Sequence, residues 1–215
     1  MESDAYVEFA ERYDLFGSGA NQEFSLEGAF FERLFKERGV SRVLDCACGT
    51  GRKTLGLFRG TSLIVMASDL SPAMLAIAQR NFDAAGAAIP TIQADFRELP
   101  RHFSESFDAV VCLATSIGEV RDDHEALRAF RSMRAVLRDG GILVLDQGTS
   151  DRQWNERPRF LLARDTPAFS RFFVIDYLGG NDAVYNILDM LRVDGADTRL
   201  SIWSVRLHIL LENDQ

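Results

Sequence analysis

Three short apolar segments in the first half of the chain each end at an aspartate. They end at Asp45, Asp69 and Asp95, and segments with helical patterning separate them. Short apolar runs of this kind are typical of strands buried on both faces in a parallel sheet with helical crossovers. The carboxyl ends of parallel strands meet at one edge of the sheet, where such folds bind ligands. The three carboxylates are therefore predicted to lie at one ligand-binding edge.

The rest of the first 146 residues continues the strand–helix alternation. Ser71 is predicted to cap a helix that starts at Pro72, and Asp139-Gly140-Gly141 is predicted to end the helix that Asp122 or Asp123 caps. Helices are expected at 3–15, 25–38, 52–58, 72–85 and 123–137, and strands at 42–47, 62–68, 91–94, 107–114 and 142–146. The fold class is α/β: a Rossmann-like parallel sheet with N-terminal helices.

The last third of the chain alternates like strands instead. Segments 170–178, 183–193 and 198–211 are separated by turns at 179–182 and 194–197, which predicts a three-stranded antiparallel sheet. These strands either form a separate β cap, which we favour, or fill further positions in the parallel sheet. The predicted division is an N-terminal helical segment (1–40), a ligand-binding core (41–150) and the cap (151–215).

Composition narrows the classes of partner. A net charge of −8 disfavours broad contact with nucleic acid or an anionic membrane. The three cysteines, Cys46, Cys48 and Cys112, lack a second Cys/His cluster, so they are predicted to be buried thiols with no metal site. The chain shows no membrane-spanning run and no signal-peptide pattern, so a cytoplasmic location is expected.

A glycine-rich turn follows the first strand. Gly49 and Gly51 let the backbone turn tightly and approach a ligand closely. The turn lacks the third glycine of the dinucleotide-binding pattern, which disfavours a nicotinamide oxidoreductase. Asp69 can accept hydrogen bonds from ribose hydroxyls, and Asp95 can accept one from an adenine amine while Phe96 offers its backbone N–H.

Five segments carry a family resemblance: VLDCACGTG (43–51), SDLSPAMLAIAQ (68–79), QADFRELP (93–100), FDAVVCLATSIGEV (107–120) and LRDGGILVLD (137–146). With them the chain resembles the class I S-adenosylmethionine-dependent methyltransferases, and within these the glycine/sarcosine and amino-sugar N-methyltransferase groups. The resemblance implies S-adenosylmethionine as cofactor and a C-terminal cap. In that group a helix and a strand pair follow the cap, so either this chain is truncated relative to the family or two of its last strands fill the missing sheet positions.

The resemblance also implies roles for individual residues. Leu113 would offer its carbonyl to the cofactor's ammonium, and Asp45 would orient the glycine turn or reach the ammonium through water. Tyr13, with Tyr6 and Phe16, would fold over the cofactor as a lid or pack in the core. The full cofactor set is Tyr13, Asp45, Ala47, Gly49, Gly51, Asp69, Leu70, Met74, Asp95, Phe96 and Leu113.

The acceptor is expected to meet Thr115, Ser116 and Glu119, with Glu119 holding a cationic amine or taking its proton. The expected reaction is methylation of a small molecule, with an amine nitrogen ahead of oxygen or carbon. A non-catalytic cofactor-binding protein is the alternative. Glycine is doubtful as substrate because 146–150 carries no basic residue, although Arg152, Arg157, Arg159 or Arg164 could replace it. A homodimer is left open.

Overall fold

The computed structural model of the protein describes Tyr6 and residues 9–14, 20–58, 61–193 and 197–211. The chain divides into two compact units. The first comprises Met1–Leu113 and Leu127–Leu145, and the second comprises Ala114–Ala126 and Asp146–Gln215. Each unit is built around a sheet of its own.

The first unit holds a five-stranded sheet in the order β3-β2-β1-β4-β5, and every neighbouring pair is parallel. The strands are β1 (Arg42–Asp45), β2 (Ile64–Asp69), β3 (Thr91–Gln93), β4 (Phe107–Cys112) and β5 (Leu137–Leu145). The order reverses between β1 and β4. This arrangement is the predicted Rossmann-like sheet, and the reversal is where such sheets bind ligands.

Five helices connect these strands or precede them: α1 (Ala10–Tyr13), α2 (Ala20–Arg38), α3 (Arg52–Phe58), α4 (Pro72–Ala84) and α5 (Asp123–Ala135). The predicted cap of α4 is confirmed, since the Ser71 hydroxyl accepts from the Met74 N–H at 3.2 Å. Asp122 caps α5 through the Glu125 N–H at 2.8 Å. Part of the helix predicted at 3–15 lies outside the described residues, and α2 begins five residues earlier than predicted.

The predicted helix end at Asp139-Gly140-Gly141 is wrong. Helix α5 ends at Ala135, and Leu137 already pairs with Phe107 before the register shifts. The glycines lie at this irregularity within β5: Gly140 has φ +73°, and a Cβ on Gly141 would lie 3.0 Å from the Arg138 carbonyl oxygen. The pair therefore allows a bulge rather than a helix stop.

The second unit holds α6 (Asp151–Glu156) and a four-stranded antiparallel sheet. Its strands β6 (Phe160–Asp165), β7 (Phe169–Tyr177), β8 (Asp182–Val193) and β9 (Asp197–His208) pair in sequence order. The expectation of three strands is wrong, because a fourth strand, β6, pairs with β7 at the edge of the sheet. The four strands form a sheet of their own, so the expectation of a separate antiparallel sheet, rather than extra positions in the parallel sheet, is confirmed.

Two short 3-10 helices complete the described elements, at Leu99–Arg101 and Ser116–Glu119. The three cysteines are buried and unpaired, as predicted. Among the described residues, no helix is long and apolar enough to cross a membrane. The division of the chain into lid, core and cap by function stays a prediction.

Candidate active site

The two glycines of the first turn differ in what surrounds them. Both have positive φ, +53° at Gly49 and +74° at Gly51. A Cβ on Gly51 would lie 2.5 Å from the Phe82 ring, whereas a Cβ on Gly49 would meet no atom of the described residues within 4 Å. Gly51 therefore makes room for the packing of α4. Gly49 borders open space, which leaves room for a ligand against the backbone.

Asp69 ties the glycine turn to the end of β2. Its carboxylate accepts from the Gly49 N–H at 2.8 Å and from the Ser71 N–H at 2.9 Å. The Cys48 N–H donates to the Ser68 carbonyl at 2.9 Å, directly beside it. Asp69 is therefore a fixed acceptor at the end of β2.

Asp45 lies at the end of β1 with only 2% of its surface exposed. It accepts from the Thr54 hydroxyl at 2.7 Å and from the Ala47 N–H at 3.4 Å. Burial raises the pKa of Asp45 to about 6, despite the lowering effect of these two hydrogen bonds. Its contacts are those of a residue that orients the turn.

Asp95, just beyond β3, is held by its neighbour Arg97. The guanidinium donates to both carboxylate oxygens, at 2.9 Å from Nε and 2.7 Å from Nη2. Burial raises the pKa of Asp95, but the Arg97 side chain and N–H outweigh it, so the net pKa lies below the ordinary value. Asp95 is therefore anionic near neutral pH, and an adenine amine would share it with Arg97.

The other predicted cofactor residues differ in exposure. Met74 and Leu113 are buried, Leu70 is exposed, and Ala47 and Phe96 are half-buried. The ring of Tyr13 packs with Tyr6 against the buried side chains of α1 and α4, which include Met74. This contact agrees with the expectation that Tyr13 packs in the core. That Tyr13 folds over the cofactor as a lid stays a prediction. Phe16 lies outside the described residues.

The sequence interpretation missed Asp14, which follows Tyr13. Its carboxylate accepts from the Thr50 hydroxyl at 2.6 Å and from the Asn81 Nδ2 at 3.2 Å. The Arg52 guanidinium donates to the Asp14 carbonyl at 3.2 Å. Asp14 therefore fastens the N-terminal segment to the glycine turn. No local pattern distinguishes this aspartate from a helix-end carboxylate, because its partners lie 36 and 67 residues away.

The loop after β4 opens the second unit with two strained residues. Ala114 has φ +58° and Thr115 has φ +69°, a region that costs non-glycine residues about 1–3 kcal/mol each. The Asp146 carboxylate accepts from the Ala114 N–H at 3.0 Å and from the Thr115 N–H at 3.4 Å. A Cβ on Gly148 would lie 2.3 Å from the Thr115 methyl. The segment after β5 thus holds this loop, which sequence patterning did not reveal.

The structure brings Thr115, Ser116 and Glu119 together on this loop. The 3-10 helix that begins at Ser116 buries Ile117 and Gly118. A Cβ added to Gly118 would lie 3.5 Å from the His208 carbonyl oxygen, so a larger side chain would not fit there. Thr115 and Ser116 are half-buried and Glu119 is exposed. The predicted acceptor residues therefore belong to the second unit, and the predicted cofactor residues belong to the first.

His208 fastens the same loop region to the sheet of the second unit. Its Nδ1 lies 3.0 Å from an Asp182 carboxylate oxygen, and its Nε2 lies 3.0 Å from one of Asp123. Burial lowers the pKa of His208, but the hydrogen bonds to Asp123 and Asp182 outweigh it and raise the pKa above its ordinary value. Arg206 also pairs with Asp182, at 2.8 Å.

Comparison with known proteins places this site in a family. Residues 43–141 match the family model described as a methyltransferase domain. The chain is 40% identical over 149 residues to a glycine/sarcosine N-methyltransferase of Parasynechococcus marenigrum, covering 68% of this chain and 52% of the relative. A glycine/sarcosine N-methyltransferase of Aphanothece halophytica is 36% identical over 148 residues, covering 68% of this chain and 55% of that relative. The chain therefore spans about half the length of these curated relatives.

A solved structure extends the likeness to the second unit. The sugar N-methyltransferase KedS8 from a Streptoalloteichus species superposes with a TM-score of 0.71 at 28% identity, covering 92% of this chain and 78% of that one. The parallel sheet carries Asp45, Asp69 and Asp95 at or just beyond the ends of its first three strands, as the sequence predicts. Residues 43–141 match a methyltransferase domain, and the chain resembles the class I S-adenosylmethionine-dependent methyltransferases. The predicted cofactor is thus confirmed at the level of the family.

Proposed function

We propose that the protein transfers a methyl group from S-adenosylmethionine to an amine nitrogen of a small molecule. The observation that carries the proposal is the edge of the parallel sheet, where Asp69 fixes the Gly49 N–H beside open space. The relatives named as glycine/sarcosine and sugar N-methyltransferases support nitrogen as the atom that is methylated.

The residues at this edge fit an adenosine-containing cofactor. Asp69 would accept the ribose hydroxyls, while Asp95 and the Phe96 N–H would contact adenine. The Leu113 carbonyl would accept from the ammonium, and Gly49 would let the methionine part lie against the backbone. Asp45 would act through Ala47 and Thr54, keeping the turn in place.

In this reaction the protein has to orient the cofactor and the amine and to accept one proton. When bound, the cofactor supplies a methyl group on a sulfonium, which is already activated for displacement. Displacement of that methyl group by the amine lone pair would leave S-adenosylhomocysteine as the second product. One proton must leave the nitrogen, and Glu119 is our candidate to accept it or to hold the cationic amine.

Three of the four arginines considered as carboxylate binders contact other side chains. Arg152 pairs with Glu156 at 2.8 Å, and Arg159 pairs with Asp176 at 3.0 Å. The Arg157 guanidinium lies over the Trp154 and Tyr177 rings, at 5.1 and 4.9 Å from their centroids. These contacts favour an acceptor amine without a carboxylate over glycine itself.

The remaining proposals concern the cellular location of the protein and its partners. We propose that the protein works in the cytoplasm on a small molecule and does not act on nucleic acid, in keeping with its net charge of −8. We also propose that it forms a homodimer.

A product-mass assay tests the reaction. Purified protein is incubated with S-adenosylmethionine and a panel of amino sugars, amino acids and simple amines, and each product is examined by mass spectrometry. We expect a gain of one methylene in an amine, together with S-adenosylhomocysteine. Transfer to oxygen or carbon acceptors alone would contradict the choice of nitrogen. Cofactor binding without any methylated product would favour a non-catalytic protein.

The role of Glu119 is tested on the amine that reacts. Glu119→Gln should lower kcat and alter its pH dependence, because the amide cannot accept the proton. Glu37→Gln removes the same charge from an exposed position on α2 and serves as the matched control. Unchanged activity and an unchanged pH profile in Glu119→Gln would remove the proposed role.

A further inference from the structure

Two carboxylates contact the two ring nitrogens of His208. Asp182, the first residue of β8, lies 3.0 Å from Nδ1, and Asp123, the first residue of α5, lies 3.0 Å from Nε2. An ionised carboxylate can only accept hydrogen bonds, and a neutral imidazole has one N–H to donate. Both contacts are therefore hydrogen bonds only when the ring of His208 carries two protons and a positive charge.

The charged side chains that the described residues place around His208 come from α5, from β8 and from β9 itself. Arg206, two residues earlier on β9, donates from Nη2 to the Asp182 carboxylate at 2.8 Å. Burial raises the pKa of Asp182, but the Arg206 and His208 side chains outweigh it, so the net pKa lies below the ordinary value. We call Asp123, Asp182, Arg206 and His208 the His208 cluster. Its two carboxylates are balanced by two cations only when His208 is protonated.

The His208 cluster lies at the end of the loop that carries the predicted acceptor residues, which we call the acceptor loop (114–122). A Cβ added to Gly118 would lie 3.5 Å from the His208 carbonyl oxygen, so the loop and the strand are in close contact there. The Arg206 guanidinium donates to the Arg121 carbonyl at 3.4 Å, and α5 begins two residues later. Strand β9 therefore holds this end of the acceptor loop through its backbone and through its side chains.

The other end of the acceptor loop is held by Asp146. Ala114 and Thr115 have positive φ, and their N–H groups donate to the Asp146 carboxylate at 3.0 and 3.4 Å. Between the two ends the loop contains one short 3-10 helix, Ser116–Glu119. A helix of this length is marginal by itself. The position of Glu119 therefore depends on the contacts at both ends of the loop.

We propose that protonated His208 is a positioning residue for the acceptor: it fixes the end of the loop that carries Glu119, and the loop loosens when the proton is lost. The inference rests on the proposed function, which assigns this loop to the amine. Burial lowers the pKa of His208, but Asp123 and Asp182 raise it above its ordinary value. The constraint is therefore complete below that ordinary value and is lost as pH rises through the folded pKa. Solvent screens the exposed Asp123 carboxylate, so we expect a moderate effect.

Amide hydrogen exchange, measured without cofactor or amine, tests the constraint on the loop. The reporter is the Gly118 N–H, which donates to the Thr115 carbonyl at 2.8 Å. In His208→Gln this amide should exchange about fivefold faster than in wild type at about pH 6, and the ratio should approach one at about pH 9. His124→Gln is the matched control, because His124 is an exposed histidine next to Asp123. It should leave the exchange of this amide unchanged.

Nitrogen NMR of the His208 ring measures its protonation directly. Both ring nitrogens should carry a proton at about pH 6, and the ring should titrate above the ordinary pKa of 6.5. A ring with a single proton at that pH would overturn the proposal. Equal exchange of the Gly118 amide in His208→Gln and wild type would overturn it as well.

Kinetics with the amine that reacts test the positioning role. His208→Gln should raise KM for the amine about fivefold at about pH 6, with the ratio to wild type falling toward one as pH rises, and should leave the affinity for S-adenosylmethionine unchanged. Asp123→Asn should have the same effect, while Asp122 still caps α5. A loosened loop with an unchanged KM would overturn the positioning role. If no amine is methylated, the proposed function fails, and the exchange and NMR results still decide whether His208 holds the loop.

Discussion

Among the described residues, each unit buries one aspartate almost completely, but the two carboxylates are stabilised differently. Asp189 of the second unit, 1% exposed, receives two hydrogen bonds from Arg171, at 2.6 and 2.8 Å. Asp45 of the first unit, 2% exposed, is held by a hydroxyl and an amide, and its pKa rises to about 6. A buried charge without a charged partner costs stability and is typical of functional sites, whereas a fully paired one specifies packing. We therefore propose a functional role for Asp45 at the edge of the parallel sheet and a structural role for the Arg171–Asp189 pair in the antiparallel one.

Removing the cation of the buried pair should have the largest effect. Arg171→Met leaves the Asp189 carboxylate buried alone and should lower the free energy of unfolding by about 3–5 kcal/mol. The double variant Arg171→Met/Asp189→Leu should recover most of this loss, because no charge remains. Urea unfolding of the three proteins measures the difference. A single variant as stable as the wild type would mean that Arg171 and Asp189 are not a structural pair.

The two glycines of the turn separate packing from binding. Gly51→Ala combines a positive φ with a Cβ 2.5 Å from Phe82, so we expect a loss of about 3 kcal/mol in unfolding free energy. The added Cβ in Gly49→Ala meets no atom within 4 Å in the part of the chain that the structure describes, so this variant should lose about 1 kcal/mol. Cofactor affinity should nevertheless fall at least about tenfold in Gly49→Ala, since its Cβ enters the proposed site. Equal affinity in Gly49→Ala and wild type would place the cofactor elsewhere.

Removing the charge of Asp45 should raise the free energy of unfolding at neutral pH, although we propose a functional role for this residue. The pKa of Asp45 rises from 3.8 to about 6 on folding, so the wild type loses stability as pH rises between these values. Asp45→Asn removes this loss and should be more stable by about 2 kcal/mol at neutral pH, with no gain below pH 4. Thermal unfolding across this pH range tests the sign. A wild type that gains stability with rising pH relative to the variant would contradict it.

His208 should give the smallest effect, with the opposite dependence on pH. Folding raises the pKa of His208 above its ordinary value of 6.5. Its contribution is therefore complete below that value and is lost as pH rises through the folded pKa. His208→Gln should lower the unfolding free energy by about 1 kcal/mol at acidic pH and by less at alkaline pH. A difference that does not change with pH would show that His208 is neutral between Asp123 and Asp182.

The first unit could be predicted from the sequence more fully than the second. Its first three strands end at or just before an aspartate, and its turn requires glycine. Local residue types therefore indicate both the parallel sheet and the edge where we propose the cofactor binds. Asp14 escaped notice because its contacts are distant in sequence. Strand β6 escaped because Phe160 and Leu162 lie in a segment rich in arginine, and strand preference depends on neighbouring strands.

The strained loop shows the same limit. Nothing local marks Ala114 and Thr115 for positive φ, since both are ordinary residues at the end of an apolar strand. The conformation depends on the Asp146 carboxylate, 31 and 32 residues further along the chain, and on the missing side chain of Gly148. The family resemblance led to the prediction that Thr115, Ser116 and Glu119 line the acceptor site. It could not predict the contacts with Asp146 and Gly148 that fix the conformation of this loop.

Calorimetric titration with S-adenosylmethionine, with NAD for comparison, tests the central claim most directly. Wild type should bind S-adenosylmethionine in the micromolar range and NAD far more weakly, and Asp69→Ala should lose at least about 100-fold in affinity. Asp108→Ala is the control, because Asp108 also accepts two backbone N–H bonds, from Ser41 and Arg42 at 2.8 and 2.9 Å, but at the start of β1. Retained affinity in Asp108→Ala with loss in Asp69→Ala would confirm the site. Equal affinity in Asp69→Ala and wild type, or preference for NAD, would contradict it.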